Sequence, residues 1–234
     1  MIRTSAVRFV LVVSPTPVWM RAAFALAVVM SLATLWFSSA EVDAALGPIL
    51  LLQMFAASNG YLASASRGYF DPILVSGRSR TRIAAGNFAA AALPGLVSWT
   101  VIVFAASALG QFTTAAAPHR LMALVLVSST AWSAGLLLPR LASGALWSLL
   151  LVALAMSHGS IADYLQAAQT TPASFRQVLV SASAGTVCPF LLLSDFPGMT
   201  DPRVLSIEGL VSVGFAMAGM RFVSLREYAL GERA

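Results

Sequence analysis

The sequence contains no lysine: all fourteen of its basic residues are arginine. A P-loop needs a lysine that reaches the β/γ-phosphates, so this chain does not hydrolyse ATP by that route. Charge of either sign is scarce. Asp, Glu, Lys and Arg together make up 10% of the residues, against about 25% in a soluble domain. Hydrophobic residues make up 59%, and the mean hydropathy is +0.84. So few charges cannot cover a water-facing surface, so most of the chain requires an apolar solvent. Cys188 is the only cysteine, which excludes an internal disulfide and a cysteine-based zinc cluster. At 234 residues, the chain has room for one transmembrane domain over 1–234 and no second, soluble one. The net charge of +5 raises the question of nucleic acid. The arginines, however, lie between apolar spans, a pattern that orients a protein in a membrane rather than forming a basic face. No nucleic-acid partner is expected.

A spanning helix needs about 20 mostly apolar residues. Six segments qualify: Ala22–Phe37 (extended to about Ala40), Ala44–Ala63, Ile83–Leu109, Leu121–Leu138, the short Leu141–Met156, and Ile207–Val223. Pro94 falls inside the third, where a neighbouring helix can satisfy the freed carbonyl. Before the first span, Phe9–Val13 is too short to cross. Arg3 and Arg8 flank it and Pro15 and Pro17 close it, so it reads as a helix lying along the interface. Phe37-Ser-Ser-Ala40 before Glu41 resembles a signal-peptide cleavage site, but some twenty residues with prolines among them precede the apolar run, which a signal peptide lacks.

Between the fifth and sixth spans, Phe175–Leu193 is apolar but holds Arg176, Gln177, Gly185 and Pro189. It is either a seventh span or a re-entrant segment, which is permitted where protein or water covers its backbone. Arginine counting decides. With six spans and a cytoplasmic amino terminus, the inside segments hold Arg3, Arg8, Arg21, Arg67, Arg78, Arg80, Arg82, Arg140, Arg221, Arg226 and Arg233, and the outside holds Arg120, Arg176 and Arg203. A seventh span would move the last three inside arginines out. The positive-inside rule therefore favours six spans, a re-entrant Phe175–Leu193 and both termini in the cytoplasm.

The loop between the second and third spans carries the most information: Arg67-Gly-Tyr-Phe-Asp-Pro-Ile-Leu-Val-Ser-Gly-Arg-Ser-Arg80. Asp71 can cap a short helix by accepting from a free amide. Pro72 suits the first helical position. Ile73, Leu74 and Val75 form an apolar patch with Phe70, and Gly77 can end the helix in the left-handed conformation. Arg78, Arg80 and Arg82 follow. A membrane anchor using anionic headgroups and a docking knob for a cytoplasmic partner would share this design, and physics alone leaves both open.

This loop resembles the cytoplasmic loop of ABC-2-type transporter permeases. There a basic residue, Gly, two variable or apolar residues, an acidic residue and an apolar pair precede Ser-Pro or similar and Ser-Arg. Gly68, Asp71, Leu74, Ser76, Ser79 and Arg80 match, whereas Gly77 stands where proline is common and Tyr69 replaces a small polar residue. The family layout of an interfacial helix, six spans and re-entrant helices between the fifth and sixth agrees in outline. The resemblance implies an all-α integral membrane permease of an exporter. Its short coupling helix would dock on a separate ATP-binding subunit through Arg67, Gly68, Tyr69, Phe70, Asp71, Ile73, Leu74, Arg78 and Arg80. It further implies a second permease copy or homologue, ATP and Mg on the partner rather than on this chain, and a bacterial-type cytoplasmic membrane with its lipids around it.

Other chemistry is weakly represented. His119 and His158 lack a second His or acid at i+3 or i+4 to complete a metal site, and both read as exposed loop histidines. Asp43, Asp163, Asp195 and Asp201 fall in outside segments, and Glu208 is expected near the outer interface. No span holds a carboxylate pair, which argues against a proton-coupled carrier. Leu141-Ala-Ser-Gly144 faintly resembles an intramembrane serine-protease motif, but its first glycine is missing and the last span has no histidine to act as base. Small residues such as Gly214, Ala218 and Gly219 are expected to let helices approach closely. A membrane enzyme acting on lipid or peptide, or a scaffold subunit without a transport path, are the alternatives to a permease. No catalytic, cofactor or metal residues are expected.

Overall fold

The structure, a computed structural model, describes residues 18–37, 42–66, 80–111, 117–137, 175–187 and 201–225. These form helices with no strand among them: α1 (Val18–Phe37), α2 (Val42–Ser66), α3 (Arg80–Ala108), α4 (Ala117–Leu137), α5 (Phe175–Val187) and α6 (Pro202–Leu225). Three stretches are long and apolar enough to cross a membrane, namely Trp19–Phe37, Thr81–Ala108 and Pro202–Val223; Ala44–Ser58 is a shorter apolar helix. The expected interfacial helix Phe9–Val13, the loop at 67–79, the span Leu141–Met156 and the end of the expected re-entrant segment, 188–193, lie outside the described residues.

The outward faces are apolar. Trp36 is 71% exposed, Leu210 73% and Phe104 76%, with Leu26, Val29, Met30, Val97 and Met217 exposed beside them. The interior, by contrast, holds buried Ser31, Gln53, Asn87, Ser128, Ser133, Glu208 and Ser212. A water-soluble bundle distributes polarity the other way round, and an apolar solvent accounts for this pattern. Outward-facing hydroxyls behave accordingly. Thr34, Thr100 and Ser107 each donate to the carbonyl four residues earlier, on Met30, Leu96 and Val103, so their polarity is satisfied inside their own helix.

Side-chain bonds between helices fix their directions. On α2 and α4, Gln53 meets Ser128, and Ser58 meets Gly135 further along both, so the two run parallel. On α3, Ala91 meets Gln53, and Asn87 meets Trp132, so α3 runs opposite to α4. On α6, Gly209 faces Met122 and Gly219 faces Trp132, so α6 runs parallel to α4. One end of the bundle therefore collects the starts of α1 and α3 with the ends of α2, α4 and α6. Of the seven described arginines, this end holds Arg21, Arg80, Arg82 and Arg221, and Arg176 lies in the first turn of α5. The opposite end holds Arg120 and Arg203, together with Asp43, Asp201 and Glu208, which are the acids among the described residues.

Two helix ends show local capping. At the start of α6, Asp201 Oδ1 accepts from the Arg203 amide at 2.8 Å, with Pro202 in the first helical position. At the end of α3, Gly110 has φ +70, the Gln111 amide donates to the Ala106 carbonyl and the Gly110 amide to that of Ser107. This is the Schellman arrangement, which favours glycine because a Cβ is strained there. It aims Gln111 across the bundle, where its Nε2 donates to the Leu35 carbonyl near the end of α1 at 3.2 Å.

Close helix approach centres on fewer small residues than the sequence suggests. A Cβ on Gly135 would fall on the Ser58 carbonyl, and one on Gly219 would meet Trp132 and Ser133. Gly214 has nothing within 4 Å of its Cβ position, and it and Ala218 face outward. The expected packing thus holds at Gly219 alone of that trio, because 214 and 218 point away from α4. Gly135→Val should therefore destabilise the protein by about 1–3 kcal/mol through overpacking. Gly214→Ala should stay within about 0.5 kcal/mol of the parent, as an outward substitution does. Reversible denaturant unfolding in detergent micelles measures both.

Candidate functional site: the polar seam of the bundle

The residues expected to dock a partner, Arg67, Gly68, Tyr69, Phe70, Asp71, Ile73, Leu74 and Arg78, lie outside the described residues. Arg80 is the first residue of α3, so that helix begins three residues earlier than the hydropathy of Ile83 indicates. Both roots of the loop are described. Ser66 ends α2 and Arg80 opens α3 at the same end of the bundle.

Those two helices are joined by Gln53. Its side chain is fully buried; Nε2 donates to the Ala91 carbonyl on α3 at 3.0 Å and to Ser128 Oγ on α4 at 2.9 Å. Ser128 in turn donates to the Leu124 carbonyl at 2.7 Å. One amide thus links three helices, and each proton in the chain has an acceptor. Gly95 gives the amide its room, since a Cβ there would overlap Gln53 Oε1.

Ala91 stands three residues before Pro94. A proline inside a helix removes the bond to the carbonyl four residues back and weakens the ladder next to it. A donor from a neighbouring helix arrives at this turn, but on the Ala91 carbonyl and not on that of Ala90, the one Pro94 frees and the one the sequence leads one to expect. The same arrangement occurs at Pro48 in α2, where Ser31 of α1 donates to the Ala45 carbonyl, again three residues before the proline, at 2.7 Å.

The seam continues toward the loop-bearing end. Trp132 Nε1 donates to Asn87 Oδ1 at 3.1 Å, and the Trp132 ring meets Phe88 edge-on with centroids 5.3 Å apart. Ser133 donates to the Phe215 carbonyl on α6 at 2.6 Å. At the other end, Glu208 is fully buried where α5 packs on α6; Thr186 Oγ1 lies 3.0 Å from Glu208 Oε2 and also 3.0 Å from the Ala182 carbonyl. Glu208 Oε1 and Ser212 Oγ, one turn on, have no hydrogen-bond partner.

Two sequence expectations change here. Glu208 was expected near the outer interface and is instead enclosed, because the face of α6 that carries it is covered by neighbouring helices. His119 and Arg120 were expected in an exposed loop. Both are buried, in the first turn of α4, which starts at Ala117 because a proline such as Pro118 costs a first turn no hydrogen bond. No group of three or more His, Cys, Asp or Glu stands together for a metal ion among the described residues. No family model, no curated protein and no solved structure matches this chain.

The Gln53 link is directly testable. Gln53→Leu should cost about 1–3 kcal/mol, the penalty for leaving buried polar partners unmatched. Combined with Ser128→Ala in a double-mutant cycle, it should reveal a coupling of about 0.6–1.7 kcal/mol, the range of hydrogen bonds between helices in membranes. Strict additivity of the two losses would mean that the bond contributes nothing.

Proposed function

We propose that this chain is the membrane-spanning permease subunit of an ATP-binding-cassette exporter of the ABC-2 type, working in a bacterial-type cytoplasmic membrane. A pair of permeases, two copies or two homologues, would enclose the path. Two separate ATPase subunits, carrying ATP and Mg, would drive it. The observation that carries this reading is the Arg67–Arg80 loop, with its acid–proline cap, apolar patch and flanking arginines.

Several features of the bundle support it. The loop is rooted in α2 and α3, which Gln53 joins, at the end that holds Arg21, Arg82 and Arg221. By the positive-inside rule that end is cytoplasmic. Asp201-Pro202 opens α6 with the same dipeptide that Asp71-Pro72 offers to the coupling helix, and the Asp201 cap is made. The parallel course of α4 and α6 supports six spans. After α4 the chain must return to the opposite end to begin α6, which takes an odd number of crossings. Leu141–Met156 supplies one. If Phe175–Leu193 crossed as well, α6 would run against α4. α5 (Phe175–Val187) is the described part of this segment. It packs against the first half of α6 through Thr186 and Glu208, as a re-entrant helix would.

In this reading, ATP closes the ATPase dimer and displaces the coupling helix. The joined α2–α3 pair carries the displacement into the bundle. A lipid- or peptide-acting enzyme would gather a catalytic cluster near one interface, whereas the hydroxyls of Ser31, Ser128, Ser133 and Thr186 are taken up in bonds between helices or to the carbonyl four residues back.

Topology is checked by reporter fusions. Those at Ala234 and Ser79 should read cytoplasmic and one at Gln169 external; an external carboxyl terminus would overturn the six-span reading. Docking is checked by pull-down of the ATPase and by its stimulation. Burying a leucine-sized side chain is worth about 1.5–3 kcal/mol, so Leu74→Asp should weaken capture at least about tenfold. Asp71→Ala, the loss of a cap worth about 1 kcal/mol, should have a milder effect. Unchanged capture and stimulation by a well-inserted Leu74→Asp protein would exclude the loop as the coupling element and leave it a membrane anchor.

A further inference from the structure

Two hydroxyls in the bundle stand in the same local setting, and their protons do not balance in the same way. Ser128 donates to the carbonyl four residues earlier and accepts from Gln53, which brings its own hydrogens. Thr186 stands 3.0 Å from the carbonyl four residues earlier, on Ala182, and 3.0 Å from Glu208 Oε2. It has a single hydrogen for two acceptors. If Glu208 is a carboxylate, one of these contacts brings two oxygens together with no proton between them. A proton on Glu208 completes the chain: Glu208 donates to Thr186 and Thr186 donates to Ala182, in the pattern that Gln53, Ser128 and Leu124 already show.

From this geometry we propose that Glu208, in the half of α6 nearest Asp201, is a proton-binding site within the membrane, with Thr186 as its hydrogen-bond acceptor. The remaining side of the carboxyl is consistent with exchange. Glu208 Oε1 and, one turn on, Ser212 Oγ are buried, lack hydrogen-bond partners and are not bonded to each other. A water molecule between Glu208 Oε1 and Ser212 Oγ would give each a partner and would carry the proton to and from the Asp201 end. The visible donor set of one carboxylate and two hydroxyls suits a proton better than a calcium or magnesium ion, which takes six or more oxygens. An ionisable residue enclosed in a span is a functional group by default.

Charged and titratable groups surround the site unevenly. On α4, His119 and Arg120 lie near its level, since Met122 faces Gly209. On α5, Arg176 is at the opposite end from Thr186, and on α3, Arg80 and Arg82 are at the far end of the bundle. On α6 itself, Asp201 and Arg203 cap the near end and Arg221 lies at the far end. The inference rests on α6 spanning the membrane and not on the ATPase partnership, so a failed pull-down leaves it standing.

The test is carbodiimide labelling of the full chain in lipid nanodiscs, mapped by peptide mass spectrometry. Dicyclohexylcarbodiimide enters the apolar phase and reacts with carboxylic acids there: the acid proton moves to a carbodiimide nitrogen and the carboxyl oxygen bonds to the central carbon. Glu208 should be labelled under acidic conditions, and the label should fall about tenfold per pH unit above its midpoint, as the acid form of a single group does. Glu208→Gln should abolish the label on that peptide. Ser212→Ala and Thr186→Val should each move the midpoint, whereas Ser206→Ala, exposed on the same helix, should leave it in place. A water-soluble carbodiimide should label Asp201 but not Glu208. Absence of label at Glu208 at every pH in a monodisperse protein would overturn the proposal. So would a label that does not vary with pH, or equal labelling of Glu208 by the water-soluble reagent.

Discussion

The arrangement of the bundle depends on a side-chain amide with no water to turn to. Gln53 sits at zero exposure on α2, and its two amide hydrogens are directed to α3 and α4. In water such bonds are worth little, because solvent competes for each partner. In hydrocarbon the competing partner is absent, and separating the helices would strand the amide. Register follows from this. Sliding α2 by one residue along α4 would break the bond to Ser128 and drive the Ser58 carbonyl against a neighbour of Gly135. The bond to Ala91 falls at the Pro94 turn, where the proline cannot donate to the α3 ladder, so one contact both supports that turn and joins α3 to α2.

Around that link the bundle repeats one device at several crossings: a carbonyl or hydroxyl on one helix, a polar side chain on the next, and a glycine where the two must come close. Ser31 with Ala45, Ser133 with Phe215 and Trp132 with Asn87 follow it, and Gly95, Gly135 and Gly219 provide the room. Shape and hydrogen bonding do the sorting here because apolar contact cannot. A leucine gains nothing by leaving lipid for a helix face that is equally apolar.

The membrane character and the helix positions were legible in the sequence, since both follow from run length and from the scarcity of charge. Apolar runs located α1, α2, α3, α4 and α6 to within a few residues at most ends. The starts moved most, as at Arg80 and Ala117, because polar residues in a first turn belong to the helix without adding to its hydropathy. What hydropathy could not supply was facing. Gly214 and Gly219 carry the same hydropathy value, yet one faces out and the other meets Trp132. Glu208 read as an interfacial residue because depth along a helix can be counted from sequence, whereas the neighbour that covers it comes from some twenty residues earlier in the chain. A usable signal was present: Glu208 and Ser212 lie one turn apart, two polar residues on one stripe in the apolar middle of the helix. The loop at 67–79 was read from its own motif, and the described residues reach only its two roots, Ser66 and Arg80.

The indoles of α1 carry a consequence of a different kind. Trp19 and Trp36 are 65% and 71% exposed at the two ends of this helix. Indole rings settle at the headgroup boundary of each leaflet. Seventeen steps at about 1.5 Å place them about 26 Å apart along the axis. A typical hydrocarbon core is roughly 30 Å thick, and sterol-rich membranes are thicker. If both rings are to sit at their boundaries, α1 has no length to spare for tilt, and the surrounding lipid must thin to meet it. The protein would carry a collar of slightly compressed bilayer, and short-chain lipids would gather preferentially in its annulus.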